Sequence, residues 1–127
     1  MEINIPLGLK HHLEIDVDEK NSAKTFGSGM VDVFATPAMI ALLERTAMLS
    51  VVEHLPDGYT TVGSEINIKH LKATPLGMKV SADSYLKTSN GSRLIFELHA
   101  WDEKGMIGIG THTRVIVEEK TFMEKLK

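Results

Sequence analysis

The chain has 127 residues, no cysteine and a formal net charge of −3, with 43% hydrophobic and 24% charged side chains. That is ordinary globular composition for one domain, which excludes a disordered or collagen-like chain, and the lack of cysteine excludes a disulfide scaffold, a zinc–thiolate centre and a cysteine nucleophile. A mildly acidic chain without a basic block is a poor grip for nucleic acid, and with no signal-peptide pattern and no uninterrupted apolar span the expectation is a cytoplasmic protein outside the membrane.

In chain order, residues 11–18 alternate around Leu13, Ile15 and Val17 and predict a first strand. Residues 21–29 are rich in small polar residues and glycine, a loop. A helix follows, with Thr36 at its N-cap and Pro37 at the first helical position, where the missing N–H costs nothing. Leu55-Pro56-Asp57-Gly58 stops it near His54. Residues 60–71 form the next strand, then 78–88, with Ser89-Asn90-Gly91-Ser92 a hairpin signal. Residues 93–101 put Leu94, Phe96, Leu98 and Ala100 on one face, and residues 102–105 turn the chain again. Residues 106–118 are the last long strand, with Ile107, Ile109, Val115 and Val117 on one face, and residues 121–127 are a short helix or tail.

One strand, one long helix and four consecutive antiparallel strands make an α+β domain spanning residues 1–127. The helix is apolar on nearly every side between Met39 and Val52, which requires burial all round. A curved sheet wrapped around it achieves this, especially if a second copy closes the open side. The hot-dog fold has this arrangement and is normally at least a dimer, so a homodimer is expected, with a tetramer as the larger assembly.

Two polar residues break the apolar pattern. Glu44 lies in mid-helix with Ile40, Ala41, Ala47 and Met48 three and four positions away, so no helical ion pair neutralises it. A carboxylate there is expensive to desolvate unless paired, and in a cleft it is a candidate general base. His70 shares the period-two face of Val62, Ser64, Ile66 and Ile68, opposite Glu65, Asn67 and Lys69. A histidine on such a face is more often a hydrogen-bonded core residue than a catalyst; the misplaced glutamate shifts that balance. Gly63 falls on the register opposite His70, while Gly108 and Gly110 share the register of His112 and Arg114. Each marks a sheet bend or a close approach of ligand to backbone. The remaining histidines have no metal-ligand spacing, so neither a metal nor another cofactor is expected.

The string His70-Leu71-Lys72-Ala73-Thr74-Pro75-Leu76-Gly77, seven residues after Gly63, resembles hot-dog acyl-CoA thioesterases of the fluoroacetyl-CoA thioesterase type. Val33-Phe34-Ala35-Thr36, with Glu44 eight positions after Thr36, is similar to that family's helix start, and Gly110-Thr111-His112-Thr113-Arg114 to its last strand. The resemblance implies Thr36, Glu44 and His70 as the catalytic set, Gly63 against the thioester, and Arg114 as the family's arginine. It departs in residues 27–33, which lack the phenylalanines of that family's lid.

Thioester hydrolysis needs a nucleophile, a stabiliser for the carbonyl oxygen and a proton for the leaving thiol. The helix N-terminus offers N–H groups to an oxyanion. Thr36 would position the thioester or water, although a capping hydroxyl has less freedom for substrate. Glu44 would act as base or as nucleophile through a mixed anhydride, assisted by His70. Met30, Phe34 and Met39 are expected to line the acyl pocket. Lys69, Lys72, Lys79, Arg93 and Arg114 are the cations available to coenzyme A phosphates. A hot-dog enoyl-CoA hydratase, a non-catalytic acyl-CoA or small-ligand binding module, and a purely structural Glu44–His70 pair inside a dimer are the alternatives.

Overall fold

The computed structural model describes residues 3–127. Strand β1 (Lys10–Asp16) is followed by a short helix α1 (Ala23–Phe26) and the long helix α2 (Thr36–Val51). Strands β2 (Tyr59–His70), β3 (Lys79–Asn90), β4 (Arg93–Asp102) and β5 (Gly105–Glu118) come next, and α3 (Glu119–Glu124) ends the chain. The strands form one antiparallel sheet in the order β1-β3-β4-β5-β2, the expected α+β architecture of a sheet curved against one long helix.

Helix α2 buries Ala38, Met39, Leu42, Leu43, Thr46, Ala47 and Val51, a stripe spaced by three and four residues, against the sheet. Val80, Ala82 and Leu86 of β3, Leu94, Phe96 and Leu98 of β4, and Ile107 of β5 are fully enclosed with it. The buried Thr46 hydroxyl donates to the Leu42 carbonyl at 2.7 Å, so a polar group in this core is satisfied within the helix.

Three expectations change. First, the helix is not enclosed all round by its own chain: Ala41, Arg45, Leu49 and Val52 stay exposed, Val52 at 50%. One sheet covers one side, so this stripe, apolar except for Arg45 and ending at Val52 just past α2, is left without cover. Second, the N-cap is Ala35 with no side-chain cap bond, and Thr36 is the first helical residue. The helix start is held by backbone instead: Ala35 N–H donates to the Asn21 carbonyl at 2.9 Å and Phe34 N–H to the Thr74 carbonyl at 2.8 Å. Third, two bulges change which residues face the helix. Gly63 pairs with Arg114 and Glu65 with Thr113, which leaves Ser64 as the extra residue. Before the bulge Thr61 and Gly63 face inward; after it Ile66, Ile68 and His70 do. Gly63 therefore shares the inner face with His70. On β5 the inner register is His112, Arg114 and Ile116, not that of Ile109, Val115 and Val117; Ile109 is 38% exposed and Ile107 is buried at a second irregularity.

Candidate active site

Helix α2 carries polar groups at its N-terminus and at its middle, and they differ in kind. At its N-terminus Thr36 Oγ1 is hydrogen-bonded to His70 Nδ1 at 2.6 Å. Thr36 is available because Ala35 occupies the cap position, which removes the competition between capping and substrate. His70 sits on the last residue of β2, where Leu71 N–H donates to the Ile107 carbonyl at 2.7 Å and fixes the strand end. Its Nε2 is buried without a hydrogen-bond partner. Burial pushes the His70 imidazole below its ordinary value, against the opposing pull of the Lys72 main chain. The pair borders a cleft of about 390 Å³ lined by Ser28, Val31, Phe34, Leu71, Lys72 and Ala73 among others.

Glu44 lies two turns further along α2, about 12 Å down the axis from Thr36 at 1.5 Å per residue. It is half-buried and faces β2 and β5. A Cβ placed on Gly63 would lie 3.1 Å from Glu44 Oε2, 3.2 Å from His112 Cε1 and 3.5 Å from an Arg114 guanidinium nitrogen. Glycine at this position leaves the carboxylate room to approach the strand. The Arg114 guanidinium is buried and held from three sides. Its Nε donates to the Thr61 hydroxyl at 2.8 Å, Nη2 to the Thr61 carbonyl at 2.9 Å, and Nη1 to His112 Nε2 at 3.2 Å. Because His112 Nδ1 faces the Glu65 carbonyl at 2.7 Å, that nitrogen carries the proton and Nε2 is the acceptor. Burial pushes His112 below its ordinary value; the charge of Arg114 acts in the same direction, while the Glu65 carbonyl and Glu44 oppose it. Burial likewise lowers Arg114 from its usual value, against the pull of the Glu44 carboxylate.

The structure thus brings Thr36 together with His70, and Glu44 together with Gly63 and Arg114, but holds the two groups apart within one chain. His112 is the residue that the sequence reading passed over. Its signal was its register, shared with Gly108, Gly110 and Arg114. Those two glycines are filled by protein: a Cβ on Gly108 would come within 2.8 Å of Met39 Sδ, and one on Gly110 within 1.9 Å of the Asn67 carbonyl oxygen. Phe34, 1% exposed, does line the cleft; Met39 is fully buried under Gly108 and does not; Met30, 89% exposed, projects from the loop before α2. Arg114 is too deeply buried for a coenzyme A phosphate at an entrance, Lys79 is paired with Asp16 at 3.0 Å, and Lys72, which lies at the cleft itself, is paired with Asp102 at 3.0 Å. Among the described residues no cluster of His, Asp and Glu is placed to hold a metal ion, and no helix is long and apolar enough to cross a membrane.

Residues 17–120 match the family described as fluoroacetyl-CoA-specific thioesterase, FlK. The fluoroacetyl-CoA thioesterase of Streptantibioticus cattleyicolor is 32% identical over 96 residues, which span 76% of this chain and 69% of that protein. A crystal structure of the fluoroacetyl-CoA thioesterase FlK superposes with a TM-score of 0.91 at 26% identity, covering 97% of this chain and 96% of that one. A hypothetical protein from Thermus thermophilus, a member of the thioesterase superfamily, reaches a TM-score of 0.89 at 25% identity over 97% of this chain and 91% of its own. A hot-dog-like protein from Thermanaerovibrio acidaminovorans shares the fold at 20% identity, with a TM-score of 0.88 over 95% of this chain and 90% of its own.

Proposed function

From the premise that the chain belongs to the fluoroacetyl-CoA-specific thioesterase family, we propose that it hydrolyses the thioester of a small acyl-CoA, as a single hot-dog domain working as a cytoplasmic homodimer. The observation that carries this reading is the Thr36–His70 pair at the mouth of a cleft. It joins a hydroxyl at a helix N-terminus to an imidazole whose second nitrogen has no partner. The acyl carbonyl lies at that N-terminus, where free N–H groups and the positive end of the helix dipole take up the developing negative charge. Thr36 donates to His70 Nδ1, which leaves Nε2–H as a donor to the attacked thioester or the leaving sulfur. Glu44 removes a proton from water as it attacks the carbonyl carbon. The carbon–sulfur bond breaks, and the same proton returns to the thiolate, giving acid and free thiol. In the covalent variant the Glu44 carboxylate attacks the carbonyl carbon first, forming a mixed anhydride as the carbon–sulfur bond breaks; the thiolate takes a proton from water, and the hydroxide left behind cleaves the anhydride to the acid and free Glu44. Transfer of labelled oxygen from the Glu44 carboxylate into the product acid in one turnover separates the two.

About 12 Å of helix between Thr36 and Glu44 is too far for both to reach one carbonyl from one chain. A second copy resolves this. Strand β2 is an edge strand with Gly63, Ser64 and Glu65 exposed, and beside it α2 and the turn after it present the uncovered stripe of Ala41, Arg45, Leu49 and Val52. Pairing two copies across this side covers the stripe and sets the Glu44 of one copy against the Thr36–His70 cleft of the other, twice by symmetry. The acyl group then meets Phe34 and the loop bearing Met30.

The test is thiol release from short, branched and aromatic acyl-CoA substrates, with Glu44→Gln and Thr36→Val measured separately and mixed. Each variant alone is strongly impaired. Random re-pairing of the two makes half the dimers mixed, each with one intact site, so about a quarter of wild-type activity returns. No thiol release from any substrate by the folded wild type overturns the thioesterase reading. No recovery on mixing overturns the shared site.

A further inference from the structure

Asp102, the last residue of β4, has a side chain only 1% exposed. Its Oδ1 accepts from Lys72 Nζ at 3.0 Å and from the Lys104 N–H at 2.8 Å; its Oδ2 accepts from the Thr74 hydroxyl at 2.8 Å. The Lys104 bond ties the carboxylate to its own hairpin, which is part of the sheet. The other two reach a different segment, residues 71–75, which has no regular secondary structure and forms one side of the cleft. Lys72 lies two residues after His70. The carbonyl of Thr74 in turn accepts the Phe34 N–H at 2.8 Å, two residues before Thr36, and Val33 bridges Pro75. One buried carboxylate therefore stands behind both sides of the cleft, and the 2.6 Å bond between Thr36 and His70 spans the gap between them.

We infer that Asp102 is a positioning residue for the reaction: through Lys72 and Thr74 it holds the segment after β2 so that the His70 ring meets Thr36. Asp102 touches no substrate; it fixes the distance between two groups that do. Burial alone would raise its carboxyl, yet its three donors hold it below the usual carboxylate range, so it is charged throughout the neutral range and the tether is permanent there. The role in turnover rests on the thioesterase reading, whereas the positioning of His70 does not.

The experiment follows the His70 and His112 rings by nitrogen-edited NMR across pH in the wild type, Asp102→Asn and Thr74→Val. Asp102→Asn keeps the shape and removes the charge that holds Lys72. Thr74→Val removes only the hydroxyl link and serves if the first variant does not fold. In both, the His70 midpoint moves up toward the ordinary imidazole value as the segment loosens and water enters. The Nδ1 signature of the Thr36 bond weakens, and His112, in the group beside Glu44, stays where it was. Thiol release falls roughly tenfold, the scale expected when a reacting group shifts by less than about 1 Å. An unchanged His70 midpoint in the folded variants overturns the assignment, and so does an equal shift at His70 and His112, which would mean general loosening. A wild type without thiol release overturns the function and leaves the NMR result to decide the positioning.

Discussion

The two polar groups on α2 solve opposite problems. Around Glu44 the buried cation is tied down: Arg114 places three of its five N–H groups on Thr61 and His112, and His112 uses both ring nitrogens. Hydrogen bonds of this kind offset part of the cost of burying a guanidinium and hold it in one place. Around Thr36 the reverse holds. His70 is anchored at one nitrogen and left without a partner at the other, beside a cleft open to solvent. In the proposed site the tied group would supply a fixed positive charge, and the unpartnered His70 nitrogen a donor for a substrate atom.

The largest expected effect comes from Glu44→Gln, which keeps volume and removes basicity. It should cut turnover by about 10²- to 10⁴-fold, the usual contribution of a general base, with an unchanged thermal unfolding curve. Retained activity in the folded variant would erase the functional difference between the two groups. Gly63→Ala comes next. The added methyl sits 3.1 Å from Glu44 Oε2, so the flexible carboxylate must give way by a few tenths of an ångström. Turnover should fall by about tenfold or less, with KM little changed, since the shift is well under the 1 Å that costs about a hundredfold. Thr36→Val tests the group at the helix N-terminus. Because Ala35 is the cap, no capping bond is lost; the change removes the hydrogen bond to His70, at a cost of about 1 kcal/mol in stability. Turnover drops by about tenfold on loss of the hydroxyl.

The smallest effect is on acid stability. Both His70 and His112 are held below the ordinary imidazole value, chiefly by burial. The unfolded chain then binds more protons than the folded one between the two values. Their contribution is complete above about pH 6.5, the unfolded value, and is lost as pH falls through the lower folded values. The thermal midpoint should therefore be level near neutrality and decline on the acid side. His112→Gln, which keeps a donor and an acceptor but cannot charge, should flatten that decline more than His70→Gln, because His112 is the more deeply buried. An equal response from both would remove the distinction between a sealed and an open imidazole.

Much of this molecule is legible in one dimension. Pro37 and the Leu55-Pro56-Asp57-Gly58 stop bracket the helix, glycine-centred turns separate the strands, and two polar residues stand out from apolar patterns. His70 emerged on the inner face because β2 keeps its alternation from Ile66 onward. Gly63 was placed on the wrong side because one extra residue, Ser64, resets the parity, and a period-two count has no way to register it. His112 was missed for a related reason: β5 has apolar residues on both faces, so Ile109, Val115 and Val117 outvoted a register made of glycine, histidine and arginine. The cap was misread because a threonine before a proline fits the local rule, while backbone bonds from Phe34 and Ala35 N–H to the Thr74 and Asn21 carbonyls hold the start of the helix.

Local sequence determined the elements, their order, the α+β class and the identity of the chemically unusual side chains, because periodicity, turn residues and capping are properties of short stretches of chain. Tertiary structure alone decided which of those side chains meet. The pairing of Thr36 with His70 rather than with Glu44, the embrace of Arg114 by Thr61 and His112, and the hold of Asp102 on the segment after β2 all depend on contacts between residues distant in the chain, and no local pattern encodes a distance across a sheet.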